Sequence, residues 1–339
     1  MKTKVLKLYF VGILITSLVL SSSITFAQES DNTTAVSDKE KVISKLLNAG
    51  FTSQQINDLP ESELLTYKDG EIVSVDTRYY RISIEKDKKD ATNGMNEEKM
   101  VTSESVEGTR KVTELTKDQC FYEVQEYNKK HAQSNSEKDV STNSIATTMS
   151  SYDDGTTYST DTDGWLSMNI VAVHQGGTKY KLSAACTWLT TPDCTQIDVM
   201  GLGHDDGLTQ TNDAVTSWFK DDYTDFWGNK GTDTNTTPDN STVDSGGTVV
   251  SYQLYSHDAS HNGGYYRTNY RSYMSYYANV NSTTIRYVSV HGKYAHQQAV
   301  LASISPSISW PLSIGFSVSS SNKFDFLSPN PYFSLHVNY

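Results

Sequence analysis

The stretch Leu166-Ser167-Met168-Asn169-Ile170-Val171-Ala172-Val173 is rich in apolar and β-branched residues, which favour β-strands. Similar runs recur at residues 180–184, 196–200, 248–255 and 284–290. Clusters of Gly, Asn and Asp separate these runs, as is typical of the turns between short strands. The pattern predicts a mostly β fold, with an antiparallel β-sandwich or barrel-like unit in the C-terminal part of the chain.

The composition of the chain changes near residue 137. The last glutamate is Glu137, and all five tryptophans follow it. Residues 131–150 are mostly polar and are predicted to form a linker. We therefore expect a charged, partly helical N-terminal unit over residues 28–130 and a β-rich domain over residues 151–339.

The N-terminal unit is predicted to be small and helical or α+β. Apolar residues between positions 42 and 47 fall on one helix face, and Asp38 is expected to cap this helix. Strand-like runs follow at 72–75 and 79–84. The charged segment 85–107 has few large apolar residues and is expected to be mobile.

The run Ala49-Gly50-Phe51-Thr52-Ser53-Gln54-Gln55-Ile56-Asn57-Asp58-Leu59-Pro60 places a Gly-Phe step and a Leu-Pro step after the predicted helix. This pattern resembles the amino-terminal region of uncharacterised secreted proteins of Gram-positive bacteria, over residues 38–84. The resemblance implies an extracellular compartment. It carries over no catalytic residue.

The first residues have the pattern of a secretory signal peptide. Lysines among the first seven residues precede the apolar run 11–20, and Ala27 is a small residue at the expected cleavage position. The apolar run is shorter than the ~20 residues that a membrane-spanning helix needs. We therefore expect a signal peptide over residues 1–27 and a secreted, extracellular protein.

The charge and the aromatic residues restrict the class of partner. A formal net charge of −12 excludes a nucleic-acid partner held by phosphate neutralisation. Tyrosine, tryptophan and arginine residues instead cluster in the β-rich domain, as is typical of surfaces that bind carbohydrate or protein. The candidate ligand-binding residues are Trp218, Trp227, Tyr265, Tyr266, Arg267, Tyr270, Arg271 and Tyr273. The alternative interpretation places one row of these rings in the sandwich core.

These observations favour a secreted, non-catalytic protein that binds an extracellular or cell-wall ligand, such as a carbohydrate, through its β-rich domain. A first alternative rests on the alternation of Ser and apolar residues from Ser303 to Ser319. Ile308, Trp310, Leu312, Ile314 and Phe316 could form the lipid-facing side of a membrane-inserting hairpin in a pore-forming protein. The other interpretation of this segment is an ordinary strand with one face on the core. Pro306 and Pro311 favour it, because each proline removes one backbone hydrogen-bond donor between strands.

A second alternative is a metal-dependent hydrolase. His257 and His261 are four residues apart, a spacing that places two imidazoles on one face of a strand or helix. The adjoining glycines predict a loop instead, and no glutamate follows Glu137 to complete a zinc-hydrolase motif. The Asp-rich stretch 159–164 is a candidate calcium site, although Ile170 stands where an EF-hand needs an acid. We expect no catalysis and no cofactor other than such a calcium ion.

The cysteines leave one pairing open. Cys186 and Cys194 are a candidate disulfide because secreted proteins meet an oxidising environment. A tight turn over residues 190–193 would place the two sulfurs on opposite faces of the sheet, so a bridge needs a wider loop. Cys120 remains without a predicted partner.

Overall fold

A computed structural model describes residues 32–86, 108–138, 162–192, 195–256, 263–297, 304–309, 313–318, 324–337 and 339. The chain divides into two units, residues 1–40 and residues 41–339. In the first unit, the described residues are 32–40, which form the beginning of helix α1. The predicted signal peptide lies outside the described residues.

The described residues form four helices and sixteen strands. The helices are α1 (Asn32–Asn48), α2 (Ser53–Asp58), α3 (Glu61–Asp69) and α4 (Lys117–Lys138). The first eight strands are β1 (Glu71–Lys86), β2 (Gly108–Leu115), β3 (Thr162–His174), β4 (Lys179–Trp188), β5 (Ile197–His204), β6 (Leu208–Gln210), β7 (Thr216–Thr224) and β8 (Lys230–Asn235). The remaining strands are β9 (Asn240–Asp244), β10 (Gly247–Gln253), β11 (Tyr266–Val280), β12 (Tyr287–Gln297), β13 (Ile304–Ser309), β14 (Ser313–Val318), β15 (Phe324–Phe326) and β16 (Tyr332–His336).

The strands form two large antiparallel sheets and one hairpin. Sheet A has the order β2-β1-β3-β4-β11-β7-β8, with β6 paired to β11. Sheet B has the order β15-β12-β5-β10-β9, with β16 paired to β12. Strands β13 and β14 pair only with each other among the described strands.

The two sheets pack face to face around one hydrophobic core. Met168 and Tyr276 of sheet A lie in the same buried cluster as Met200, Leu202 and Val250 of sheet B. Burial of this apolar surface between two sheets is the main stabilising contribution in a β-sandwich. The prediction of a mostly β fold with an antiparallel sandwich and a small N-terminal helical part is confirmed.

Helices α2 and α3 and the end of α1 cover the outer face of sheet A. Leu46, Phe51 and Tyr67 from this helical layer share a second buried cluster with Val171 and Val173 of β3. Strand β3 is therefore buried on both faces. This explains why residues 170–173 form a continuous apolar run and lack the alternation of a half-exposed strand.

The predicted N-terminal unit is not separate from the β-rich domain. Strand β1 pairs with β3 from Glu71 opposite His174 to Ser83 opposite Thr162, and β2 extends the sheet beyond β1. The composition changes along the chain, but composition carries no information about which distant strands pair. The described residues on both sides of the predicted linker therefore contribute to one fold.

Several predicted boundaries also differ. Helix α1 begins at Asn32, so Asp38 lies inside the helix and does not cap it. Residues 131–138 of the predicted linker belong to α4, and residues 139–150 lie outside the described residues. Of the segment 85–107 that was expected to be mobile, residues 85 and 86 end β1 and the rest lies outside the described residues.

The Ser/apolar alternation falls on the hairpin β13–β14. Ser309 pairs with Ser313, and each described strand contains six residues. A membrane-spanning strand needs about 9–11 residues. This length favours the ordinary hairpin over the membrane-inserting one; Trp310 and Leu312 lie outside the described residues.

Candidate functional site

Strand β11 carries most of the predicted ligand-binding residues. A β-bulge interrupts its pairing with β7 between Thr268 and Arg271, and Asn269 adopts a positive φ of 57° within it. A bulge inserts one extra residue and shifts the alternation of side chains. As a result Arg267 and Tyr270 both face the sandwich interior, although they are three residues apart.

Five of the eight predicted ligand-binding residues are buried, which corrects their assignment: Trp218, Arg267, Tyr270, Arg271 and Tyr273. Tyr270 lies in the core between the sheets, and its hydroxyl donates to the carbonyl of Tyr255 at 2.8 Å. Tyr273 stacks on Trp218 beneath the helical layer, with ring centroids 5.5 Å apart. Arg271 is also buried there. The alternative interpretation, in which one row of these rings lies in the sandwich core, holds for Tyr270. Sequence reasoning missed the burial of Tyr273, Trp218 and Arg271 because it did not foresee that helices cover the outer face of sheet A.

Arg271 instead joins an ion-pair network between β11 and α2. Its guanidinium bonds to the carboxylate of Asp58, and its Nη2 lies 3.1 Å from Asp222. Lys220 reaches the same Asp58 carboxylate at 3.2 Å. Because these charges bridge the helix and the sheet, they hold the helical layer in place.

A second buried network joins α3 to sheet A. The Lys181 ammonium lies 2.6 Å from the Glu63 carboxylate, and the Tyr273 hydroxyl donates to Glu63 at 2.7 Å. The Tyr67 hydroxyl donates to Ser183 at 2.8 Å. Burial, followed by the nearby Glu63, raises the pKa of Tyr67, so its phenol keeps its proton. The network is structural because its polar groups are occupied by one another.

One group of exposed and half-buried aromatic residues lies at the end of the sandwich where β7, β8 and β11 meet. Tyr265 is followed directly by β11, whose Tyr266 pairs with Thr224 at the end of β7. Trp227 is 82% exposed and Phe226 is 60% exposed in the turn between β7 and β8. We refer to the set Tyr223, Phe226, Trp227, Tyr255 and Tyr265 as the aromatic surface.

Arg267 lies beneath three rings of the aromatic surface. Its guanidinium carbon is 4.6 Å from the ring centroid of Tyr255, 5.7 Å from that of Tyr265 and 5.9 Å from that of Tyr223. Tyr223 and Tyr265 also meet edge to face at 5.3 Å. Since Tyr255 follows β10 of sheet B, Arg267 connects rings from both sheets.

Two carboxylates fix the position of Arg267. Its Nη1 lies 2.5 Å from Asp221 and 2.6 Å from Asp233. Asp221 is buried, and burial raises its pKa to about 6 even though the arginine opposes that shift. Asp233 is about half exposed and lies at the edge of the cluster.

The turn that carries Trp227 is fixed by Asp225. One oxygen of its carboxylate accepts hydrogen bonds from the amides of Trp227 at 2.9 Å and Asn229 at 2.8 Å. The Asn229 side chain donates to the other oxygen at 2.8 Å, and this bond lowers the pKa of Asp225. Gly228 has a φ of 82°, a conformation that favours glycine. The indole is therefore presented to solvent on a defined turn.

The structure contains a buried carboxylate–imidazole pair that resembles part of a catalytic site. His296 Nδ1 lies 2.7 Å from Asp198, and the indole of Trp188 donates to the same carboxylate at 3.1 Å. The hydroxyl of Tyr294 also bonds to Asp198. His296 is fully buried between the sheets, where no substrate can reach it. We interpret the group as a polar element of the core.

The remaining predicted sites give little information. His257, His261 and Cys194 lie outside the described residues. Of the candidate calcium stretch 159–164, residues 159–161 also lie outside them, and residues 162–164 begin β3. Cys186 is a buried free thiol in β4, and burial raises its pKa. Within the described ranges, no group of His, Cys, Asp and Glu is arranged to hold a metal ion. None of the described helices is long and apolar enough to cross a membrane.

No protein-family model and no curated protein matches the chain. It is similar to the solved structure of the pilus backbone RrgB from Streptococcus pneumoniae, with 14% identity and a TM-score of 0.24, over 36% of this chain and 25% of that one. The full-length RrgB structure gives 10% identity and a TM-score of 0.24, over 49% and 32%. A collagen-binding domain from a Staphylococcus aureus adhesin gives 7% identity and a TM-score of 0.23, over 47% and 89%.

The chain spans about a quarter to a third of the length of the RrgB structures that it matches. All three are Gram-positive pilus or adhesin proteins. TM-scores this low do not identify the fold or the function of the chain.

Proposed function

We infer that this is a secreted, non-catalytic protein that binds an extracellular or cell-wall ligand through its β-rich domain. The binding site is the aromatic surface. The observation that carries this proposal is the 82% exposure of Trp227 on a turn held by the Asp225 carboxylate. A large ring that is kept in water on a fixed turn offers apolar area to a ligand at little cost in ordering.

Two further observations support a binding role. Aromatic rings from both sheets contact Arg267, so the surface is formed by distant parts of the chain and not by a single loop. The carboxylate–imidazole pair of the protein, Asp198 and His296, is buried away from this surface. The aromatic surface therefore offers contact area and hydrogen-bonding groups, without a nucleophile and base beside it in the described residues.

The test is sedimentation of the secreted chain, residues 28–339, with purified Gram-positive cell wall. We expect saturable binding that Trp227→Ala weakens at least about tenfold, because aromatic residues at the centre of an interface contribute about 2 kcal/mol or more. Tyr287→Ala is the matched control. Tyr287 is another exposed aromatic ring, 65% accessible, on β12 of sheet B.

Equal binding by the Trp227→Ala and Tyr287→Ala variants would show that the aromatic surface is not the site. Absence of saturable binding by the unaltered chain would reject the cell wall as the ligand. Circular dichroism of each variant verifies that the exposed substitutions leave the fold intact.

A further inference from the structure

The shape of the aromatic surface restricts the class of ligand. The rings of Phe226 and Trp227 meet edge to face, with centroids 5.9 Å apart and planes at 83°. They project from a turn between two strands. They therefore form two perpendicular apolar faces on a protruding element, in contrast to the parallel ridges that line a groove.

This arrangement disfavours a proline-rich peptide. Extended proline-rich segments bind in grooves between aromatic residues. A single sugar ring needs only one exposed indole face on which to stack, and its hydroxyl groups then need polar partners at the edge. The protruding Trp227 supplies such a face.

The charges around the surface disfavour an anionic ligand. Asp221, Asp222, Asp225 and Asp233 all lie on β7, β8 or the turn between them. The positive charge of Arg267 is already shared by two of these carboxylates. Arg271 is likewise paired with Asp222. A phosphate, sulfate or uronate group, or an anionic membrane, would therefore find both arginines already occupied by carboxylates.

Carboxylates also accept hydrogen bonds from hydroxyl groups. Asp233 is about half exposed, and only one of its oxygens bonds to Arg267 in the described contacts. A hydrogen bond to a charged group contributes about 1.5–3 kcal/mol. Trp227 and Asp233 lie on the same β7–β8 hairpin, with Asp233 paired to Asp221 a few ladder positions from the turn. An aromatic face and a partly exposed carboxylate on one hairpin are suited to an oligosaccharide, which has both apolar ring faces and hydroxyl groups.

We propose that the aromatic surface binds an uncharged glycan, whose sugar rings stack on Trp227 and whose hydroxyl groups bond to Asp233. This inference rests on the proposed function and specifies its ligand. Of the lysines on β7 and β8, Lys220 is paired with Asp58, and Lys230 is exposed at the start of β8.

The test measures binding of residues 28–339 to defined probes by calorimetry. The probes are neutral hexasaccharides of glucose, N-acetylglucosamine, mannose and galactose, the polyanion polygalacturonate, and a collagen-like peptide of Pro-Pro-Gly repeats. We expect at least one neutral hexasaccharide to bind and to compete with cell-wall sedimentation. Trp227→Ala should weaken this binding at least about tenfold and Asp233→Asn at least about threefold, with Tyr287→Ala unchanged.

Two outcomes would overturn the glycan assignment and leave the proposed function standing. The first is cell-wall binding that depends on Trp227 but is not competed by any neutral hexasaccharide. The second is a preference for polygalacturonate or for the peptide. Loss of cell-wall binding altogether would instead reject the proposed function, so the two failures are distinguishable.

Discussion

Arg267 organises the aromatic surface from beneath. The guanidinium contacts the rings of Tyr223, Tyr255 and Tyr265 and is held by two carboxylates. Only one of these carboxylates, Asp233, is open to solvent. The buried partner Asp221 therefore makes the cluster sensitive to its own protonation.

Asp221 makes the stability of the protein depend on pH in a defined direction. Burial raises its folded-state pKa from 3.8 to about 6, so the folded protein binds this proton more tightly than the unfolded chain does. The free energy of unfolding that this group contributes therefore falls as the pH rises from about 4 to about 6.

We expect Asp221→Asn to remove this pH-dependent contribution to the free energy of unfolding. The stability difference between the unaltered protein and the variant should fall by up to about 3 kcal/mol as the pH rises from 4 to 7. Urea unfolding at pH 4, 5, 6 and 7 measures it. A difference that stays constant across these pH values would contradict the buried, raised-pKa state of Asp221.

The helical layer is an element held by buried charge as well as by apolar contact. Helix α3 places Glu63 against Lys181 of β4, and both side chains are almost fully buried. Removal of one partner leaves the other charge buried without compensation, which is costly. The pair therefore specifies where α3 lies on the sheet more than it adds net stability.

We expect Glu63→Ala to lower the free energy of unfolding by about 3–5 kcal/mol. Replacement of both partners, Glu63→Met with Lys181→Met, should be less harmful than either single change because no unpaired charge remains. Glu61→Ala, on the exposed side of the same helix, serves as the control and should cost below about 1 kcal/mol. Urea unfolding of Glu63→Ala, Glu63→Met, Lys181→Met, the double variant and Glu61→Ala gives these values. A double variant less stable than both Met single variants would refute the argument.

The hairpin β13–β14 packs against sheet B. Its Cα atoms approach those of β9 and β10, and Val199 and Val249 are fully buried although their neighbours Met200 and Val250 face the core. Successive side chains on a strand point to opposite faces, so these valines face away from sheet A. The hairpin therefore lies over the outer face of sheet B.

We expect no dye release from neutral or anionic liposomes treated with residues 28–339. Strands of six residues are too short to span the hydrocarbon core, and the hairpin already covers apolar residues of sheet B. Dye release that Ile308→Asp abolishes and Ser307→Asp leaves unchanged would establish membrane insertion and overturn this expectation.

At the scale of the whole molecule, the strands encoded before residue 116 complete a sheet encoded after residue 161. Strand β1 pairs with one edge of β3, so that β2 and not β3 is the edge strand at this side of sheet A. A chain that begins at Thr162 would expose a thirteen-residue edge strand and the apolar face under the helices. Exposed edges of this kind pair with other chains.

We therefore expect residues 162–339 alone to aggregate, as measured by light scattering and size-exclusion chromatography. Co-expression with residues 28–138 should restore a soluble complex, since the missing strands and helices are supplied in trans. A monomeric, folded fragment 162–339 would show that β1 is dispensable for the sheet.

The sequence predicted the β class because runs such as 166–173 and 248–255 contain few residues that favour anything else. It could not predict that β1 joins β3, because pairing between segments about ninety residues apart leaves no local signal. It indicated Trp227, Tyr265 and Arg267 from their clustering. It missed Tyr223 and Tyr255, isolated tyrosines that only the meeting of both sheets brings together.

Tyr270, Tyr273 and Trp218 were misassigned for a related reason. A row of tyrosines on a strand has the same sequence pattern whether it faces solvent, a second sheet or a layer of helices. The helices that cover Tyr273 were themselves predictable, since Thr52 and Gln55 form a capping box at the start of α2. The position of these helices on β11 could not be predicted, because it depends on buried partners such as Glu63 and Asp58.

The contacts between β1 and the region of β16 have a consequence for the order in which the chain can fold. The Tyr80 hydroxyl donates to the carbonyl of Pro329 at 2.7 Å, across 249 residues of sequence, and the amide of Tyr332 donates to Asp76 at 2.7 Å. A chain delivered from its N-terminus presents Tyr80 long before either partner. During synthesis, β1 therefore waits with these polar groups in water, and the sandwich closes only after the last strands of the chain have been made.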